Sequence, residues 1–141
     1  MNINCQGEGP HLSKQLVGNI GLYYVCYELS KKGWNCLPTS RNAKGIDIVI
    51  YSQDAKCKYA IQVKSLSKRN PVPFGSSDEL MGDFLVIYRD AQGEKPELFI
   101  LTKEEIGPEK LHKSERDGKI FYWLQPGSYE EHKDCWDKIR E

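Results

Sequence analysis

At 141 residues the chain has room for one domain with its own core. Twenty Lys and Arg against twenty Asp and Glu leave no net charge to draw it toward nucleic acid or an anionic membrane. Cysteines at 5, 26, 36, 57 and 135 show neither a C-x-x-C pair nor zinc-ligand spacing, which argues against a disulfide framework or a metal knuckle.

In chain order, residues 1–11 read as a loose arm rich in Gly, Pro and Asn. Apolar residues at helical spacing from Leu12 to Lys32 predict a helix that stops at Gly33. Its apolar positions extend around much of the circumference, so deep burial is expected, and Gly18 and Gly21 suggest close packing against a neighbour. Three strand-like runs follow, at 34–39, 46–51 and 59–66, the last two joined as a hairpin. The prolines and Gly75 of "SKRNPVPFGSS" argue against regular structure there. Strands are predicted at 84–88 and 98–102, and Thr102 with Glu105 has the spacing of a capping box for a short helix. "KIFYWLQ" reads as a last strand and "YEEHKDCWDKIRE" as a closing helix. No run reaches the ~20 apolar residues of a membrane helix, and the N-terminus lacks signal-peptide order. The expected compartment is the cytoplasm, with no membrane partner.

The charge balance hides an asymmetry. Residues 41–69 carry seven Lys and Arg against two Asp, while 71–96 and 97–141 each come to −3. Inside the basic stretch lies "GIDIVIYSQDAKCKYAIQVKS", in which two apolar runs each carry polar groups. Strand alternation puts Asp47 with Val49 and Tyr51 on one face, and turns Gln62 and Lys64 away from Ile61, Val63 and Ser65. A buried carboxylate costs several kcal/mol unless paired or bound to a cation, so Asp47 is either structural with a partner or a ligand. A carboxylate and an amide oxygen form part of the shell that Mg2+ prefers, and a lysine beside it suits phosphodiester hydrolysis.

Asp47 followed by Gln62-Val63-Lys64, on adjacent strands after a long first helix, resembles the PD-(D/E)XK nuclease superfamily. The likeness is to the branch with Gln before the lysine, as in Holliday-junction-resolvase-like members. It implies an α/β fold with an α-β-β-β-α-β core and a mixed central sheet flanked by helices. The core would span about 12–90 of a single domain over 1–141, with additional strands and helices over 91–141. It further implies Mg2+ or Mn2+, cleavage of nucleic acid, most simply DNA, and a homodimer as one means of reaching both strands. Asp47 and Gln62 would hold the metal, and Lys64 would be the catalytic lysine.

One departure concerns the first helix, where the resemblance implies a glutamate and this chain has Leu22. Weaker metal affinity, a ligand from elsewhere such as Asp54, or a fold that binds without cutting all remain open. Ser40, Arg41, Asn42 and Lys44 before the second strand, and Ser65, Lys68, Arg69 and Asn70 after the third, form a candidate phosphate-binding rim. Taken singly, each is ordinary solvated loop chemistry. His11, His112 and His132 read as surface residues, and most aromatics as core. A binding module without hydrolysis and a protein-interaction domain are the rival readings.

Overall fold

The computed structural model describes residues 10–40, 45–91 and 93–141. Helix α1, Lys14–Lys31, starts where the Ser13 hydroxyl accepts the Leu16 N–H at 3.3 Å. It ends as a Schellman motif: Gly33 adopts φ +94°, its N–H donates to Ser30, and the Trp34 N–H reaches back to Leu29. The helix buries only the narrow stripe Gly21, Val25 and Leu29. Leu16, Tyr23 and Tyr27 stand 48%, 62% and 60% exposed, so the deep burial expected from its apolar composition does not occur. Gly21 does sit in close contact, since a Cβ there would collide with the Ser65 hydroxyl, whereas Gly18 has open space.

Strands β1 (Asn35–Pro38), β2 (Ile48–Tyr51) and β3 (Lys58–Leu66) form an antiparallel meander. β4 (Val72–Gly75) leaves this sheet, and β5 (Phe84–Arg89) returns to lie parallel to β3, with β6 (Glu97–Thr102) antiparallel at the edge. The mixed order is β1-β2-β3-β5-β6. β5 is buried along its whole length, which explains its unbroken apolar sequence. β7 (His112–Arg116) and β8 (Lys119–Leu124) join β4 in a second sheet of order β4-β8-β7.

The central sheet is covered on both faces. One carries Ile48, Ile50, Ile61, Val86 and Ile100 against Val25 and Leu29 of α1. The other carries Leu66, Leu85, Ile87, Phe99 and Leu101 against Val72 of β4 and Leu124 of β8. Gly82 allows β5 to enter close beside β3, since a Cβ there would stand 2.7 Å from the Ala60 carbonyl oxygen. Among the described residues no helix is long and apolar enough to cross a membrane.

The α/β class and the mixed sheet match the sequence expectation. Three segments differ. Where the prolines and Gly75 argued against regular structure, and where the resemblance implies a second helix, the chain forms β4; Pro73 is tolerated because β4 is an edge strand that need not donate at every position. The closing helix is broken into the short α2 (Pro126–Tyr129) and 3-10 turns at Glu130–His132 and Trp136–Lys138. There Asp134 takes φ +54° and donates its N–H to Leu98, so the tail is held by β6 rather than by its own helical bonds. β7 had no strand-like apolar pattern, because all five of its residues are exposed. The Thr102–Glu105 capping box forms, on a 3-10 turn.

Candidate active site

β3 runs nine residues and β2 only four, so β3 continues past its partner at the end where Asp47 lies. The last pairs, Ile48 with Ile61 and Val49 with Ala60, bring Asp47 beside Gln62. Here the ladder changes. The Asp47 N–H donates to Ile61 at 2.9 Å, and the Val63 N–H donates at 2.7 Å to the Asp47 carboxylate oxygen Oδ2. One carboxylate oxygen therefore stands in for a strand acceptor, which fixes the side chain against β3 and leaves Oδ1 for other work.

Behind Asp47 its carbonyl accepts the Thr39 N–H at 2.9 Å, while the Thr39 hydroxyl donates to Ile46 at 2.6 Å. Thr39 thus clamps the start of β2. Gln62 and Lys64 alternate along β3 with Ile61 and Val63 of the α1-side core, and pair with Leu85 and Ile87 of the opposite core. Both polar side chains are half-buried. Burial pulls the Lys64 ammonium below the ordinary lysine value of 10.5, and the nearby Asp47 charge draws it part of the way back.

Asp47, Gln62 and Lys64 are therefore gathered at one end of the hairpin. Among the described residues neither the Gln62 amide nor the Lys64 ammonium has a hydrogen-bond partner, and neither is sealed from solvent. The oxygens that Asp47 and Gln62 could offer a cation there are Asp47 Oδ1 and the Gln62 amide oxygen. That chemistry fits Mg2+ or Mn2+ better than a softer metal. It is a sparse set, since no three His, Cys, Asp or Glu gather into a metal cluster among the described residues.

Asp54 does not complete it. It lies in the turn at the far end of the hairpin, where it accepts from the Ser52 hydroxyl at 2.6 Å and the Lys56 N–H at 3.0 Å. Leu22 packs against the core, and Glu28 pairs with Lys31 at 3.6 Å.

The rim residues separate. Arg41, Asn42 and Lys44 lie outside the described residues. Ser40 and Lys68 are exposed. Ser65 leaves the set, because its hydroxyl lies under α1 within 3.5 Å of the Gly18 carbonyl, on the sheet face away from Gln62 and Lys64. Arg69 is held by the Glu130 carboxylate, and the Asn70 carbonyl accepts the Tyr129 hydroxyl at 2.9 Å. Both stay exposed, but the Arg69 side chain and the Asn70 main-chain carbonyl also anchor the C-terminal segment.

Other expectations shift as well. His132 is buried between Glu105 and Lys138 and is not a surface residue, while Tyr23 and Tyr27 are not core. Cys26, Cys36, Cys57 and Cys135 are free thiols and only partly buried; Cys5 lies outside the described residues. A concavity of about 690 Å³ near Trp34, Asp54 and Trp136 is not lined by Asp47, Gln62 or Lys64.

No family model and no curated protein matches the chain. Among solved structures it is similar to a bacterial homing endonuclease, I-Ssp6803I, at 16% identity. The match covers 91% of this chain and 93% of that one with a TM-score of 0.57, a likeness of fold along nearly the full length of both.

Proposed function

We propose that this chain is a metal-dependent endonuclease of the PD-(D/E)XK type that hydrolyses phosphodiester bonds in DNA. The observation that carries the reading is the meeting, at one strand end, of Asp47 with a Gln62 amide that has no partner among the described residues and with the half-buried Lys64 ammonium. A stability role explains Asp47, which braces Val63, but not a partly desolvated ammonium without a hydrogen bond among the described residues. The likeness of fold to a homing endonuclease supports the same reading.

Asp47 Oδ1 and the Gln62 amide oxygen would hold Mg2+ or Mn2+. When bound, the ion lowers the pKa of a water and polarises the phosphate. Val63 keeps Asp47 from swinging away, so the ligand oxygen is positioned before substrate arrives. Lys64 donates to a non-bridging phosphate oxygen as negative charge grows, and holds the attacking water in line. The bond from phosphorus to the water oxygen forms as the bond to the leaving sugar oxygen breaks. Burial of Lys64 strengthens its electrostatic effect, because less water screens it.

The test is nicking of supercoiled plasmid in Mg2+ or Mn2+ by wild type, Asp47→Asn, Gln62→Ala and Lys64→Ala. Wild type is expected to nick and each variant to lose roughly 100-fold or more. Thermal unfolding gives a second readout, in which saturating metal raises the Tm of wild type but not of Asp47→Asn. A wild type that shifts DNA in a gel and never nicks it sinks the enzyme reading. That outcome selects a binding module of the same fold, which the packed Leu22 and the single carboxylate favour.

A further inference from the structure

β7 and β8 form a ribbon that leaves the body of the protein. All five β7 residues and the first three of β8 are exposed, and only the far end of β8 is anchored, by Leu124 in the core and Tyr122 against it. The strands turn at Asp117-Gly118, with φ +54° and +76°, the double left-handed geometry of a two-residue hairpin loop. Register then defines the two faces. Since Tyr122 and Leu124 face the core, the outward face carries three cross-strand pairs: His112 with Trp123, Ser114 with Phe121, and Arg116 with Lys119.

This outward face is unusual for folding alone. Arg116 and Lys119 are like charges set directly opposite one another, a destabilising pair, and among the described residues neither has an ion-pair partner. They lie in the segment 97–141, whose net charge is −3, so they are not part of a general basic surface. Phe121 is 42% exposed beside Ser114.

We propose that the β7–β8 ribbon is the duplex-reading element of the nuclease and inserts its outward face into the major groove of DNA. Charge is the first argument: Arg116 and Lys119, without an ion-pair partner among the described residues, flank a turn that also carries Asp117, and present two cations on one face to match two phosphates of the groove walls. Size is the second. Five paired residues span ~17 Å, and two strands fit a groove about 12 Å wide and 8.5 Å deep. Ser114 and Phe121, just behind the cations, are of types that contact base edges and the thymine methyl. The groove of A-form RNA is too deep and narrow for such an insertion, which makes duplex DNA the occupant.

Position is the third argument. β4, β8 and β7 stand on the sheet face that carries Leu66, Leu85 and Ile87, the face that Gln62 and Lys64 share through their register with Leu85 and Ile87. The ribbon therefore extends from the layer packed on the side of the sheet that carries Gln62 and Lys64. The role rests on the nuclease reading, to which it adds the substrate class and the residues that grip it.

Fluorescence anisotropy with a labelled 30-base-pair DNA duplex in EDTA separates the two ideas, since binding is read without cleavage. The double variant Arg116→Ser/Lys119→Ser is expected to bind at least tenfold more weakly at moderate salt. Its slope of log K against log salt should be shallower by about 1.8, or roughly 0.9 for each phosphate no longer neutralised. Its Tm should be unchanged or slightly higher, because a like-charge pair is removed. Phe121→Ser should keep the slope and lose affinity. An unchanged slope and affinity in the double variant overturns the proposal, as does equal or tighter binding of a duplex RNA of the same sequence. Plasmid nicking by the same preparations reports on the nuclease reading independently. A wild type that never nicks, with the slope change present in the double variant, keeps the ribbon and loses the enzyme; a wild type that nicks while the double variant binds normally does the reverse.

Discussion

The Asp47 carboxylate has two oxygens, and one of them has a duty in the fold. Oδ2 replaces a main-chain acceptor for Val63, and this ties the candidate ligand to the strand that carries Gln62 and Lys64. Lys64 stands in the opposite situation: it gains no hydrogen bond among the described residues and is held below the usual lysine pKa by burial, against the attraction of Asp47. A base whose folded pKa is depressed makes the folded state bind fewer protons than the unfolded one, between the folded value and 10.5. Its penalty on stability is full below the folded pKa and is relieved as pH rises through that window. Lys64→Met should therefore raise the Tm by a few degrees near neutral pH while abolishing nicking, and its Tm advantage over wild type should shrink as pH climbs toward 10.5. Differential scanning fluorimetry across pH measures it, and a Tm that falls on substitution at neutral pH would mean that Lys64 is a structural residue. The acid, the amide and the lysine were each legible in the sequence, because period-two alternation is a local property. The bond from Val63 to Asp47 was not, because it depends on β2 ending early.

At the level of elements, α1 offers an internal comparison. Its two glycines read alike in sequence, yet Gly18 faces open space and Gly21 lies against Ser65, with the Ser65 and Tyr88 Cβ atoms 3.1 and 3.2 Å from an added methyl. Gly18→Ala should stabilise by about 0.5–1 kcal/mol through helix propensity alone. Gly21→Ala should cost about 1–2 kcal/mol and be partly rescued by Ser65→Ala, as judged by urea unfolding. The turn after β6 makes a pH prediction. Burial alone would raise the Glu105 carboxyl, but the Thr102 N–H and hydroxyl and the Lys138 ammonium outweigh it and hold it down, from 4.5 to about 2. A depressed carboxyl contributes its stability above 4.5 and loses it as pH falls toward 2. Glu105→Gln should cost about 1 kcal/mol at neutral pH, with the gap to wild type closing across that acid range in thermal unfolding. The capping box was visible as Thr102 and Glu105 three apart, whereas Lys138 arrives from a segment that sequence periodicity had cast as helix.

Across the whole molecule, the C-terminal segment is fastened to the sheet by charge. Arg89 on β5 is 5% exposed and reaches Glu97 on β6 at 3.1 Å and Glu130 after α2 at 3.2 Å, while Glu130 also holds Arg69 after β3. Arg89→Met leaves two carboxylates facing a vacated cation site and should cost about 3 kcal/mol. It should also loosen residues 126–141, seen as faster hydrogen exchange there than in α1; uniform exchange would mean that the tail is held by packing alone. By itself the sequence determined the α/β class, the first helix, the hairpin and the three polar residues on it, since each follows from spacing between near neighbours. Tertiary structure decided which face of α1 is left to solvent, that Arg69 serves Glu130, that β4 forms where no regular structure was expected, and that the polar β7 stretch pairs with the last predicted strand as a ribbon. Those outcomes depend on which distant segments compete for the same backbone groups and charges, and no local pattern encodes the winner.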